Sequence, residues 1–296
     1  MPERSSCHHS RWLDRYACEK PVISKVPYAA LKQTLTDYIE AKKQDGTLID
    51  AGLYFRDLED GPHFGVNEYA NYAAASLLKL PLVAQYLSLA EEDPAILDTR
   101  LTVPPNLDLL YGMHYQPAQK LTPGDVYTVD ALLQRTMAYS DNVAFVLLRQ
   151  HLLDRYGSES FIWESYRQLG LVPDIADQNY VISVARYAAL FKVIYSASYL
   201  NPAMSEKLVK MMMLSTFEEG LVRGLPAGVP VSHKYGEVGR DDIMQLHDCG
   251  IVYYPDNPYV LCVMTRGHRH LALEQVIAEI SRMVYAEVDA RRGRSP

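Results

Sequence analysis

The chain has 296 residues, enough for one large domain or two interleaved ones and ample for a real core. Its 48% hydrophobic and 22% charged residues are ordinary for a globular protein, and a formal net charge of -7 without clustered Lys and Arg argues against a nucleic-acid partner. Four cysteines are too few for a disulfide scaffold at this length, and no segment is apolar for long enough to span a bilayer.

Residues 1–24 read as a polar, flexible arm. It has no apolar stretch after its basic residues, so it is not a signal peptide; the protein is either intracellular or has an export segment absent from this chain. Cys7, His8, His9 and Cys18 lie on this arm and read as tail, not as a metal site. From Tyr28 to Lys43, Leu31, Leu35, Tyr38 and Ile39 recur at helical spacing, and Gly46 is a stop signal. Leu48–Leu58 and His63–Asn67 read as a hairpin around Asp60-Gly61-Pro62. Ala73–Ala90 is apolar on nearly every side, which predicts a buried helix, and Pro81 requires its start to fall close to Ser76.

Asp93–Asp125 is rich in proline and reads as loop. Helices follow over Thr128–Arg135, Asn142–Leu153, Glu159–Leu169, Val181–Ile194 and Ser205–Met213, with a polar loop over Pro173–Tyr180. Val231–Gly236, Ile243–Tyr254 and Tyr259–Thr265 are strand-like, and Leu271–Val288 is the last helix. With a turn at Asp256-Asn257, Cys249 faces position 264 and Cys262 faces 251. The two are then diagonal neighbours, for which separate buried thiols are expected and a disulfide stays open.

Strands at both ends with helices between predict an α+β fold. Residues 25–68 and 220–296 would form a sheet lobe, residues 69–219 an inserted helical lobe, with a site in the cleft between them.

Three short motifs carry the chemistry. Ser76-Leu77-Leu78-Lys79 opens the apolar helix, Ser140-Asp141-Asn142 precedes another helix, and Lys234-Tyr235-Gly236 lies on the first late strand. Residues three apart share a helix face, so the Ser76 hydroxyl and the Lys79 amine can meet. An alcohol needs a base to become a nucleophile, and a lysine serves as one only when burial and neighbouring cations depress its pKa. The apolar helix supplies the burial, and Lys234 is the candidate second cation. Against this stand a plain helix start at Ser76, an N-cap box at Ser140-Asp141-Asn142 and an exposed strand lysine at Lys234. His247-Asp248 beside Cys249 reads as a hydrogen-bonded strand pair, and Met211-Met212-Met213 as core filling.

In this order the motifs resemble the set shared by class A β-lactamases and penicillin-binding proteins. Lys120-Leu121-Thr122-Pro123-Gly124, Thr128-Val129 and Leu132, and the run Leu221–Gly228 leading to Lys234, are similar as well, so the resemblance covers about residues 25–288. It implies a five-stranded antiparallel sheet flanked by helices plus an inserted all-helical lobe. By position, Ser76 would be acylated, Lys79 would be its base, and Ser140 would pass the proton to the leaving nitrogen. Asn142 would hold the substrate amide. Lys234, with Tyr235 and Gly236, would bind the substrate carboxylate, and the N–H groups of Ser76 and Glu237 would form the oxyanion hole. Tyr111 and Tyr115 either line the cleft or are surface tyrosines.

Two departures stand out. Tyr235 occupies the place of a small hydroxyl residue, and the loop over residues 171–180 contains no Glu for deacylation. Asp174 and Asp177 are the candidate bases there. The resemblance implies a monomeric, exported serine hydrolase (periplasm or cell surface) with no metal or organic cofactor. It would act on a small-molecule β-lactam or a cell-wall peptide through an acyl-enzyme, with slow turnover. The alternatives are a D-alanyl-D-alanine carboxypeptidase or penicillin-binding protein, a sensor that acylates and stops, and a scaffold without chemistry.

Overall fold

The computed structural model describes residues 28–59, 61–105, 114–117, 119–171, 180–240 and 242–292. Helix α1 (Ala29–Gln44) buries Leu31, Leu35 and Ile39, the stripe that its spacing predicts. β1 (Leu48–Asp57) and β2 (His63–Val66) form the expected hairpin, paired from Leu53 opposite Val66 to Arg56 opposite His63.

β3 (Asn71–Ala73) leads into a 3-10 turn (Ala75–Leu78) that runs directly into α2 (Lys79–Glu92). Ser76 therefore sits in the tighter turn ahead of the α-helix, not in the α-helix itself, and Pro81 falls in the first α-helical turn, where its missing N–H costs nothing. Leu80, Leu82, Val83, Ala84, Tyr86 and Leu87 are all fully buried, so α2 runs through the protein interior.

The proline-rich stretch holds β4 (Arg100–Thr102), which pairs with β5 (Val126–Thr128). Thr128 caps α3 (Val129–Ala138), Asp141 caps α4 (Asn142–Tyr156) and Ser158 caps α5 (Glu159–Gln168). Val181–Ser183, read from sequence as helix, is strand β6. It pairs with β3, and Ser183 then caps α6 (Val184–Tyr195). Asn201 caps α7 (Pro202–Met212).

The late strands are β7 (Val231–Arg240), β8 (Ile243–Val252) and β9 (Tyr259–Gly267), followed by α8 (His270–Arg292). The main sheet runs β2-β1-β9-β8-β7 and is antiparallel throughout, so strands from both ends of the chain meet at β1 and β9. One face packs on α1 and α8 through Leu35, Phe55, Leu261, Ile277 and Val284. The other packs on the central helices through Cys249, Ile251, Cys262 and Met264.

The hairpin register corrects the expectation for the cysteines. Cys249 lies directly opposite Cys262, and the two form a disulfide. The turn is centred one residue earlier than Asp256-Asn257. Pro255 and Asp256 are its middle pair, Asp256 is left-handed with φ 55°, and the Asn257 N–H donates to the Tyr254 carbonyl at 3.0 Å. Moving the turn by one residue moves every cross-strand partner by two. The cysteines keep their face and change from diagonal to opposed.

Candidate active site

The backbone that presents Ser76 is strained. The Ala74 N–H donates to the Tyr180 carbonyl at 2.8 Å, and Ala75 then turns left-handed with φ 47°. That conformation costs a non-glycine residue roughly 1–3 kcal/mol and persists only where the surroundings enforce it. Here Leu77 N–H returns to the Ala74 carbonyl at 3.0 Å. Two buried phenols also hold the turn, Tyr187 donating to the Leu77 carbonyl at 3.1 Å and Tyr166 to the Leu78 carbonyl at 2.5 Å. Ser76 is left half-buried at the head of α2.

A second left-handed residue faces it: Ser140, φ 53°, between α3 and α4. Asp141 is the N-cap that its residue type predicts, accepting from the N–H groups of Val143 at 2.9 Å and Ala144 at 3.1 Å. Its other oxygen takes Nε and Nη2 of Arg135 at 3.0 and 2.9 Å. Capping and ion pairing fix the bend, and Ser140 and Asn142 turn toward Lys79.

Lys79 is the hub of the site. Its Nζ donates to Ser76 Oγ at 2.9 Å, to Ser140 Oγ at 3.1 Å and to Asn142 Oδ1 at 2.6 Å, and it also bonds the Ser140 carbonyl. Lys234 reaches in from β7, donating to Ser140 Oγ at 2.8 Å and to the Tyr235 carbonyl at 2.7 Å. The Ser140 hydroxyl thus lies between two amines. Both lysines are buried, 3% and 0% exposed. Burial lowers Lys79 to about 7 against the opposing pull of Asp141 and Glu237. Burial, and then the charge of Lys79, holds Lys234 well below the ordinary lysine range. An amine that gives up its proton near neutrality, in contact with an alcohol, is able to act as that alcohol's base.

Gly236 lets β7 approach the Ser76 turn. A Cβ at that position would stand 3.0 Å from Leu77 Cγ, 3.3 Å from the Ala74 oxygen and 3.3 Å from the Leu77 nitrogen. The amides of Ser76 and Glu237 are one residue from this contact on either side.

Ser76, Lys79, Ser140, Asn142 and Lys234 therefore form one hydrogen-bonded group. Tyr235 borders it, with its ring 4.3 Å from Lys234 Nζ. The Tyr235 hydroxyl is held above the ordinary tyrosine range, first by burial and then by the charge of Glu237, against a Ser140 hydrogen bond. Tyr115 and the Glu237 side chain meet elsewhere, on the outer edge of β7, where Tyr115 packs edge-on against Tyr235 and Phe217. Asp174, Asp177 and Tyr111, like Cys7, His8, His9 and Cys18, lie outside the described residues. Nothing in the sequence singles out Arg135, Tyr166 or Tyr187. Among 22 tyrosines, nothing local marks the two that hold the Ser76 turn. His247 donates through Nε2 to the Ala73 carbonyl at 3.0 Å and accepts the Thr265 N–H at Nδ1, so it pins β3 to the sheet. Among the described residues no group of three or more His, Cys, Asp or Glu is arranged to hold a metal ion.

The sequence model described as the Beta-lactamase enzyme family matches residues 30–288. The chain belongs to that family. Solved structures place this β-lactamase-family chain in the same fold. PBP-A is 24% identical, with 92% of this chain and 99% of that one covered and a TM-score of 0.74. A β-lactamase from Chitinophaga pinensis is 22% identical over 88% and 99%, TM-score 0.75. An ancestral class A β-lactamase is 22% identical over 86% and 99%, TM-score 0.72. No curated relative matches the chain by sequence.

Proposed function

We propose that this family member is a serine hydrolase that opens β-lactam amide bonds through an acyl-enzyme on Ser76. The observation that carries the reading is Lys79 Nζ at 2.9 Å from Ser76 Oγ and 3.1 Å from Ser140 Oγ, in a dry setting that lowers its pKa to about 7. Neutral Lys79 takes the Ser76 proton as Oγ attacks the lactam carbonyl. The oxyanion forms toward the Ser76 and Glu237 amides, and Asn142 holds the substrate amide. As the C–N bond breaks, Ser140 gives its proton to the leaving nitrogen and recovers one from Lys79, which restores the neutral amine. Water then attacks the ester and returns Ser76 to its alcohol.

That last step is the slow one. The loop over residues 171–180 has no Glu, and the shorter Asp174 and Asp177 remain the candidates to activate the water. The same feature favours a second reading, a penicillin-binding peptidase or sensor that keeps its acyl group. One solved PBP-A variant is an acyl-enzyme complex with penicillin G, at 24% identity and a TM-score of 0.75. The Cys249–Cys262 disulfide supports work in an oxidising compartment outside the cytosol.

Intact-protein mass spectrometry over time with penicillin G and a chromogenic cephalosporin tests this, with Ser76→Ala as control. A serine-dependent adduct that decays with product release is expected. A stable adduct selects the second reading, and no adduct on the native protein rejects both.

A further inference from the structure

The turn that carries Ser76 is not built into the main sheet. β3, which leads into it, pairs with β6 in a small sheet of its own. In an antiparallel strand the N–H and C=O of one residue point to the same side, and those of Ala73 point away from β6. Side chains of β8 meet both. Gln245 Oε1 accepts the Ala73 N–H at 3.0 Å, and His247 Nε2 donates to the Ala73 carbonyl at 3.0 Å. Two residues apart on a strand, Gln245 and His247 share one face of β8. Arg266 of β9 adds a longer contact on the same edge of β3, donating to the Asn71 carbonyl at 3.3 Å.

The His247 ring is fixed in this role. It is fully buried, its Nδ1 accepts the Thr265 N–H at 3.3 Å, and Tyr72 stands edge-on to it at 5.6 Å. With Nδ1 accepting, the proton sits on Nε2 and faces Ala73. Burial lowers this imidazole to about 4, so it is neutral at ordinary pH. The register of β8 carries the clamp on to β7, because His247 lies opposite Gly236 and Leu246 opposite Glu237. Ser76 comes three residues after Ala73. The Ser76 and Glu237 amides thus belong to two separately built segments, and the grip on Ala73 is a hydrogen-bonded link between them.

We propose that Gln245 and His247 are positioning residues for the oxyanion hole. By holding both backbone polar groups of Ala73 they set the spacing between the Ser76 and Glu237 amides. They act through the backbone and not on the substrate. The oxyanion develops only as the acyl bond forms, so loss of the clamp slows acylation and leaves the initial complex nearly unchanged. The kinetic half of this inference rests on the serine-hydrolase reading; the clamp does not.

The test uses the full chain and four variants, each first shown to melt as a folded protein. Gln245→Leu and His247→Phe remove the contacts to Ala73. Gln245→Glu keeps an acceptor oxygen, opposite Arg266 on the neighbouring strand, and His247→Gln keeps an N–H within reach of the Ala73 carbonyl. Stopped-flow acylation by penicillin G separates the acylation rate constant from the dissociation constant of the initial complex. Gln245→Leu and His247→Phe should each lower the rate constant ~10-fold or more and hold the dissociation constant within ~3-fold. Gln245→Glu and His247→Gln should return the rate constant to within ~3-fold of native. Amide exchange over residues 73–77 should quicken ~10-fold or more in the first pair and match the native protein in the second. Unchanged rate constants in the first pair, a loss confined to the dissociation constant, or a loss that the second pair does not recover overturns the proposal. If the buried His247→Phe does not fold, the half-buried Gln245 pair carries the test. If penicillin G leaves the native protein unacylated while exchange responds as stated, the clamp stands and the serine-hydrolase reading falls.

Discussion

The inner network around Lys79 and the outer edge of β7 use similar side chains to opposite ends. Inside, two lysines share the Ser140 hydroxyl in a dry space, and burial leaves both easy to deprotonate. Outside, two carboxylates accept N–H and O–H donors from one peripheral segment, beside an exposed histidine. In the first region burial adjusts acidity; in the second, hydrogen bonds hold a conformation. A buried polar group is therefore not by itself a sign of chemistry. What distinguishes the inner group is that its proton can move between contacting oxygens and nitrogens.

Mutations should separate the two regions by the size and kind of their effects. On the proposed mechanism Lys79→Ala should slow adduct formation by ~10³-fold or more while the fold persists, read by mass spectrometry against thermal melting. The proposed mechanism makes the neutral amine the active form. Acylation should therefore be slow in acid and rise with pH to a plateau, with its midpoint at about 7. A flat profile would remove Lys79 from the role of base.

Arg135→Ala leaves the Asp141 carboxylate, whose side chain is 2% exposed, without its cation. The expected loss is ~3 kcal/mol of stability in denaturant unfolding, with slower acylation because the Ser140 bend loosens. Gly236→Ala puts a methyl group 3.0 Å from Leu77 Cγ and should cost ~10-fold in acylation with less than about 1 kcal/mol of stability. The smallest change belongs to the outer edge. Tyr115→Phe strips the donor from Glu274 and should destabilise by ~1–2 kcal/mol while altering acylation by penicillin G by less than ~3-fold. A larger kinetic effect of Tyr115→Phe than of Gly236→Ala would erase the distinction between the regions.

The inner region was legible in the sequence because its spacing is local or motif-borne. Ser76 and Lys79 are three residues apart in one helical segment, and each further member lies in a short motif. The long elements are legible too, since α1, β1 and α8 show their period over many residues. Three-residue strands do not, so β3 and β6 were hidden in loop and helix, and β4 and β5 in the loop-rich stretch and at the start of a helix. The cysteine pairing failed by one residue of turn geometry, because Pro255 and Asp256 together suit the middle of a turn better than Asp256 and Asn257 do. The sequence points to Glu237 through its amide alone. Its carboxylate meets partners more than a hundred residues away in the chain, and no short-range pattern reports such a contact.

The pairing of β1 with β9 joins positions near the two ends of the chain, Leu48 opposite Gly267 and Asp57 opposite Tyr259. During synthesis β1 emerges early and waits for its central neighbour until nearly the whole polypeptide exists. The main sheet and the strand that delivers Lys234 therefore close late, while the helices between can begin to gather sooner. A nascent chain of this protein carries Ser76 and Lys79 long before it can bring Lys234 against Ser140.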